Sequence, residues 1–122
     1  GESLTDAVAS VANYRPDAIL INCSRPEAVT VGLGVLKQAA VRFGAYANGF
    51  TAVEALRPGG TVDSLSARTD LGPEAYAAHA MTWIEMGASI VGGCCEVGPD
   101  HIRVLHDQLL ANGYELNHSL AA

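Results

Sequence analysis

The chain reads as an α/β protein built on a parallel sheet, and three features predict it. Two short apolar runs, Ala18-Ile19-Leu20-Ile21 and Ala88-Ser89-Ile90-Val91, are of β type, and the first is continuous rather than alternating, as expected of a strand covered on both faces. Segments with helical apolar spacing stand before, between and after the strand-like runs. Several of those segments carry start and stop residues of their own. Regular alternation of strand and helix implies parallel strands joined by right-handed crossovers.

The elements follow in order. Leu4, Ala7, Val8, Val11 and Ala12 share a helical stripe, which predicts a helix over Leu4 to Tyr14. Asp17 to Cys23 reads as the first strand. Arg25-Pro26-Glu27 opens the next helix, with Ser24 as its N-cap and Pro26 in its first turn. That helix runs to about Val41; Gly32 and Gly34 weaken it but permit close packing. Arg42 to Ala47 is a second strand, ending at Asn48-Gly49. Arg57 to Arg68, rich in Gly and Ser, reads as a long loop of the kind that borders a site. Gly72-Pro73-Glu74 starts a third helix with Tyr76, Ala77, Ala80, Met81 and Ile84 as its apolar stripe and Gly87 as its C-terminal cap. Ala88 to Gly93 is the third strand. Gly98-Pro99-Asp100-His101 begins a last helix with Ile102, Leu105, Leu109 and Leu110 facing inward, and Asn112-Gly113 ends it. Glu115 to Ala122 shows no pattern.

With 122 residues, 49% of them hydrophobic, the chain is long enough for one small domain with a core. Seven Lys and Arg against 13 Asp and Glu give a net charge of −6, which argues against nucleic acid as a partner. No apolar run approaches a membrane span and no signal sequence is visible, so a cytoplasmic protein without membrane contact is expected. Three sheet strands leave two open edges, and the chain starts on a helix. Both features predict a piece of something larger, completed by self-association or by a complementary chain.

The chemistry concentrates in the 3 cysteines. Cys23 follows the first apolar run, and Gly92-Gly93-Cys94-Cys95 follows the last. If these runs are parallel strands of one sheet, three thiols converge at one end. Adjacent residues of a regular strand point to opposite faces, so Cys94 and Cys95 can meet one ion only if the backbone leaves strand geometry; Gly92 and Gly93 permit that. Three thiolates with a fourth position open suit a catalytic zinc ion. Three small core residues are the bland alternative. A closed structural zinc site would want a fourth Cys or a His beside the three. A thiol-redox protein would want Cys-x-x-Cys, which is missing.

Ile21-Asn22-Cys23-Ser24-Arg25-Pro26-Glu27, Gly44-Ala45-Tyr46-Ala47-Asn48-Gly49 and Gly87-Ala88-Ser89-Ile90-Val91-Gly92-Gly93-Cys94-Cys95, followed by Gly98-Pro99-Asp100-His101-Ile102, resemble the homocysteine S-methyltransferase family in order and spacing. The resemblance covers nearly the whole chain. It implies that residues 1–122 are one partial domain: the C-terminal part, about strands six to eight, of a TIM (β/α)8 barrel. It implies Zn2+ on Cys23, Cys94 and Cys95, homocysteine and a small-molecule methyl donor as substrates, and methionine as product. The alternative is a non-catalytic half-barrel with structural zinc or none.

Around the three thiols, Asn48 either holds the amino-acid part of homocysteine or is a turn residue before Gly49. Asn22 either orients Cys23 by hydrogen bonds or is a plain strand-end residue. Tyr46 is read as core, His101 as a surface or capping residue, and His79, His106 and His118 as exposed. Glu96 departs from the family pattern, and its charge sits unfavourably beside a negative zinc–thiolate set.

Overall fold

The structure is a computed structural model that describes residues 1–49 and 68–117. The predicted loop from Arg57 lies outside the described residues except for Arg68, as does His118. The elements are α1 (Leu4–Ala12), β1 (Ile19–Asn22), α2 (Pro26–Leu36), a 3-10 turn (Lys37–Ala39), β2 (Phe43–Tyr46), α3 (Pro73–Glu85), β3 (Ile90–Val91) and α4 (Pro99–Ala111). The strands form one parallel sheet in the order β1-β2-β3. Ile19 pairs with Phe43 and Asn22 with Tyr46, while Gly44 pairs with Ile90 and Ala45 with Val91. Among the described residues no helix is long and apolar enough to cross a membrane.

β2 is the central strand and the most buried, with Phe43, Gly44 and Ala45 all inside. Helices supply most of the core: Val29, Leu33 and Leu36 from α2, Tyr76 and Trp83 from α3, Leu105 and Leu109 from α4. Trp83 Nε1 donates to Thr30 Oγ1 at 2.9 Å, and Thr30 in turn donates to Pro26 O at 3.1 Å. A buried indole thus keeps its one donor satisfied while joining α3 to α2.

Several boundaries differ from the sequence reading. α2 stops at Leu36 rather than about Val41, because the chain tightens into the 3-10 turn and then leaves it at Ala40 with φ +55°. Ser24 does not cap α2; the N-cap is Arg25, without a side-chain bond, and Ser24 Oγ donates to Asn22 O at 3.1 Å. Gly87 does end α3, at φ +111°, where its N–H donates to Ile84 O. Ile102 and Leu110 do not face inward: they are 42% and 51% exposed. Ile102 instead lines, with Ile84, Ile90, Val91 and Leu105, a groove of about 830 Å3 alongside β3. His79 is half-buried rather than exposed, its ring 6.4 Å from that of Trp83.

The glycines predicted to weaken α2 divide in role. A Cβ on Gly32 would meet Ile21 Cδ1 at 2.6 Å, so this glycine lets β1 and α2 approach. A Cβ on Gly34 would meet nothing within 4 Å. On β2, a Cβ on Gly44 would collide with the main chain of Ile90 and stand 2.8 Å from Ile90 Cβ. Urea unfolding is therefore expected to show Gly44→Ala destabilising the chain by about 2–3 kcal/mol or more. Gly34→Ala should stabilise it by about 0.5–1 kcal/mol, since only the backbone entropy of the unfolded chain changes.

Arg68 is bonded on two sides. Its N–H donates to Gly49 O at 2.7 Å, and its guanidinium bonds Glu27 Oε2 at 2.8 Å and Asp70 through two nitrogens at 3.0 and 2.8 Å. Hydrogen bonds from Arg68 hold both the Glu27 and the Asp70 carboxyls below their ordinary values. A depressed carboxylate contributes stability above its unfolded-state value and loses it as the pH falls through the folded-state value. Unfolding midpoints should thus drop between pH 5 and pH 3, and Arg68→Met should remove part of that drop. The effect is small, because both carboxylates are largely exposed and screened.

Candidate metal centre

All three cysteines stand at the carboxyl end of the sheet and none is in a disulfide. Cys23 follows β1 in the left-handed region, φ +52°, so the chain turns there rather than extending. Its N–H still donates to Tyr46 O at 3.2 Å, which keeps it tied to β2. Cys94 N–H donates to Ala47 O at 2.9 Å, and Gly49 N–H donates to Cys95 O at 2.9 Å. The end of β2 therefore holds the main chain of all three.

Cys94 and Cys95 reach one place because they open a tight turn. Val97 N–H donates back to Cys94 O at 3.1 Å, with Glu96 in the left-handed region at φ +62°. The two sulfurs lie 3.9 Å apart. Positive φ at Gly92 or Gly93 is not the device: neither adopts it. Gly93 is needed for room instead, because a Cβ there would stand 2.6 Å from Val97 Cβ.

Burial first, and then the Cys94 thiol, push the Cys23 thiol above its ordinary value, while Asn48 and Cys95 pull it back. Among the described residues no three His, Cys, Asp or Glu side chains yet surround a common metal position. The donor set nonetheless suits zinc. Two thiolates about 2.3 Å from a tetrahedral zinc lie about 3.8 Å apart, close to the Cys94–Cys95 spacing.

Asn48 is fully buried. Its Nδ2 donates to Cys23 O at 2.8 Å and lies 3.8 Å from Cys23 Sγ, while its own N–H donates to Ser24 O at 3.0 Å. Asn22 is exposed, and its carbonyl accepts from Ser24 Oγ. Tyr46 is half-buried opposite Asn22. His101 serves as a cap: Nδ1 accepts from Gly98 N–H at 3.2 Å, which leaves the ring proton on Nε2 to donate to Leu71 O at 3.0 Å. His106 is exposed, 3.1 Å from Asp107 Oδ1.

The sequence reading placed Tyr76 only in the apolar stripe of α3 and missed its hydroxyl. Tyr76 is fully buried, donates to Gly92 O at 2.6 Å and accepts from Ala47 N–H at 3.1 Å. Burial pushes its phenol up to about 12, so it remains a neutral donor. A polar tip on an otherwise apolar helix face, 16 residues before the Gly-Gly-Cys-Cys segment, was the available signal.

Asn48→Ala should cost about 1–3 kcal/mol in chemical unfolding, because the Cys23 carbonyl loses its side-chain donor in a buried setting. Asn22→Ala, at an exposed position, should cost far less.

The profile of a family described as homocysteine S-methyltransferase matches residues 1–109. Homocysteine S-methyltransferase 2 of Arabidopsis thaliana is 26% identical over 112 residues, covering 90% of this chain and 32% of that protein. Selenocysteine methyltransferase of Astragalus bisulcatus is 29% identical over 97 residues, 79% of this chain and 27% of that protein. Selenocysteine Se-methyltransferase of Brassica oleracea var. italica is 35% identical over 43 residues, 35% of this chain and 12% of that protein. The chain spans about a third or less of the length of these relatives.

Proposed function

The chain belongs to the homocysteine S-methyltransferase family, and from that membership we propose that it carries the thiolate centre of a zinc-dependent methyl transfer to the sulfur of homocysteine. The observation that supports this most is the convergence at the end of β2. Cys94 and Cys95 present sulfurs 3.9 Å apart on one turn, and the same strand end holds Cys23. Completing the set requires the three thiols to close on one common position.

Cys23, Cys94 and Cys95 would hold the ion and leave a fourth position for a substrate sulfur. A bound zinc would supply the acidity that deprotonates a thiol otherwise mostly protonated near neutral pH. Asn48 keeps Cys23 in its turned conformation through the Cys23 carbonyl. The substrate sulfur then takes the methyl group: the new S–C bond forms as the bond from methyl to the donor breaks. A selenol is chemically close to a thiol, and two relatives are named for selenocysteine. Selenocysteine is therefore a second acceptor to assay.

The fold in this reading is the last part of a TIM barrel, about strands six to eight, as one partial domain. The parallel order β1-β2-β3 supports it, as does the site at the carboxyl ends of the strands, where barrel enzymes place their chemistry. The groove beside β3 is where a further strand and helix would lie. A complementary chain or a second copy would cover it, and association detected by size-exclusion chromatography is expected.

Metal analysis of the reduced, anaerobically purified chain should find one zinc per chain, absent in Cys94→Ser and retained when homocysteine is added. Three freely titrating thiols with no zinc would instead identify a non-catalytic half-barrel that does not assemble the centre by itself.

A further inference from the structure

We propose that Tyr76 is the positioning residue of this centre: its hydroxyl replaces one rung of the sheet ladder and thereby sets where Cys94 and Cys95 stand relative to Cys23. The proposal rests on the reading of the three thiols as one metal-holding set.

The ladder itself shows the replacement. In a parallel pair, a residue that donates to one neighbour's carbonyl accepts from the N–H two residues further along that neighbour. Gly92 N–H donates to Ala45 O at 3.0 Å, so Ala47 N–H is the donor due at Gly92 O. That bond is not made directly. Ala47 N–H donates to Tyr76 Oη at 3.1 Å, and Tyr76 Oη donates to Gly92 O at 2.6 Å. The direct pattern resumes one step later, where Cys94 N–H donates to Ala47 O at 2.9 Å. The register continues, but the strands are held apart by one oxygen immediately before the two cysteines.

A purely packing role does not account for this. The ring meets Trp83 and His101 edge-on, each at 5.9 Å between centroids, and phenylalanine would make the same contacts. Only a hydroxyl can accept from one strand and donate to the other. Asn48 acts comparably across β1 and β2, where its side chain serves the Cys23 carbonyl while its main-chain N–H moves on to Ser24. Each approach to the thiols therefore contains one side-chain rung, and Tyr76 supplies the one nearer Cys94.

Tyr76→Phe in the whole chain tests the proposal, with Trp83→Phe as a packing control. Two readouts are taken: cobalt(II) affinity with its thiolate absorption bands, and amide hydrogen exchange without metal. Tyr76→Phe is expected to weaken cobalt binding by about tenfold or more, as loss of an outer hydrogen-bond partner does, and to shift the bands. It should also alter exchange at Ala47 and Cys94 while leaving Ser89, whose N–H bonds Phe43 O, unchanged. Trp83→Phe should lower the melting temperature without either effect. Unchanged affinity, bands and exchange in Tyr76→Phe would overturn the proposal, as would equal effects from the two variants. If the unaltered chain binds no cobalt, the metal reading fails on its own, and the exchange comparison still decides whether Tyr76 positions the turn. If Tyr76→Phe does not fold, the chain made with 3-fluorotyrosine, a stronger hydroxyl donor, replaces it. Altered exchange at Ala47 and Cys94 then supports the proposal, and unaltered exchange overturns it.

Discussion

The carboxyl end of β2 is the constraint on which the rest of the centre depends. Within the strands, main-chain bonds between parallel neighbours set the register. Beyond Tyr46 the strands must separate if three thiols are to approach one point, and separation would strand buried N–H and C=O groups. Asn48 and Tyr76 prevent that loss. One amide and one hydroxyl carry the ladder across the gap, so the chain diverges with its hydrogen bonds intact.

Helix α3 takes its importance from the same requirement. It buries Tyr76 and Trp83 on one face, about two turns apart, one tied to the strand ends and the other to α2 through Thr30. The indole fastens the helix to α2, while the phenol makes its own two bonds to the strand ends. Packing and hydrogen bonding are thus coupled in a single element, and the positions of Gly92 to Cys95 follow from how α3 sits. The turn after Cys94 adds local detail: Glu96 accepts a left-handed conformation, and Gly93 leaves space for Val97.

The groove beside β3 is an open apolar surface. Ile102 and Leu110 are apolar yet exposed, and the outer edges of β1 and β3 meet no further strand among the described residues. An exposed strand edge next to apolar side chains favours association. The thiol centre lies at the carboxyl end of the sheet, supported from inside by α3, so its local geometry does not draw on that groove.

The sequence by itself determined the alternation of strands and helices, the parallel sheet, the capping glycine at Gly87 and the meeting of Cys23 with Cys94 and Cys95 at one sheet end. These follow from apolar periodicity, from steric limits at positive φ, and from motifs that mark strand ends. Family membership was legible in the same Asn-Cys and Gly-Gly-Cys-Cys segments. Tertiary structure decided what local pattern does not encode. Tyr76 looks like any apolar helix residue until α3 docks and places its hydroxyl between two strands. Asn48 reads as a turn residue or a ligand-binding amide, and only the fold shows that it is buried with its Nδ2 on Cys23 O. Gly93 suggests backbone freedom, whereas the fold requires its missing side chain. Ile102 fits an inward stripe, yet which flank of α4 is covered depends on what packs beside it. In each case the outcome rests on a partner distant in sequence, and a local pattern cannot name that partner.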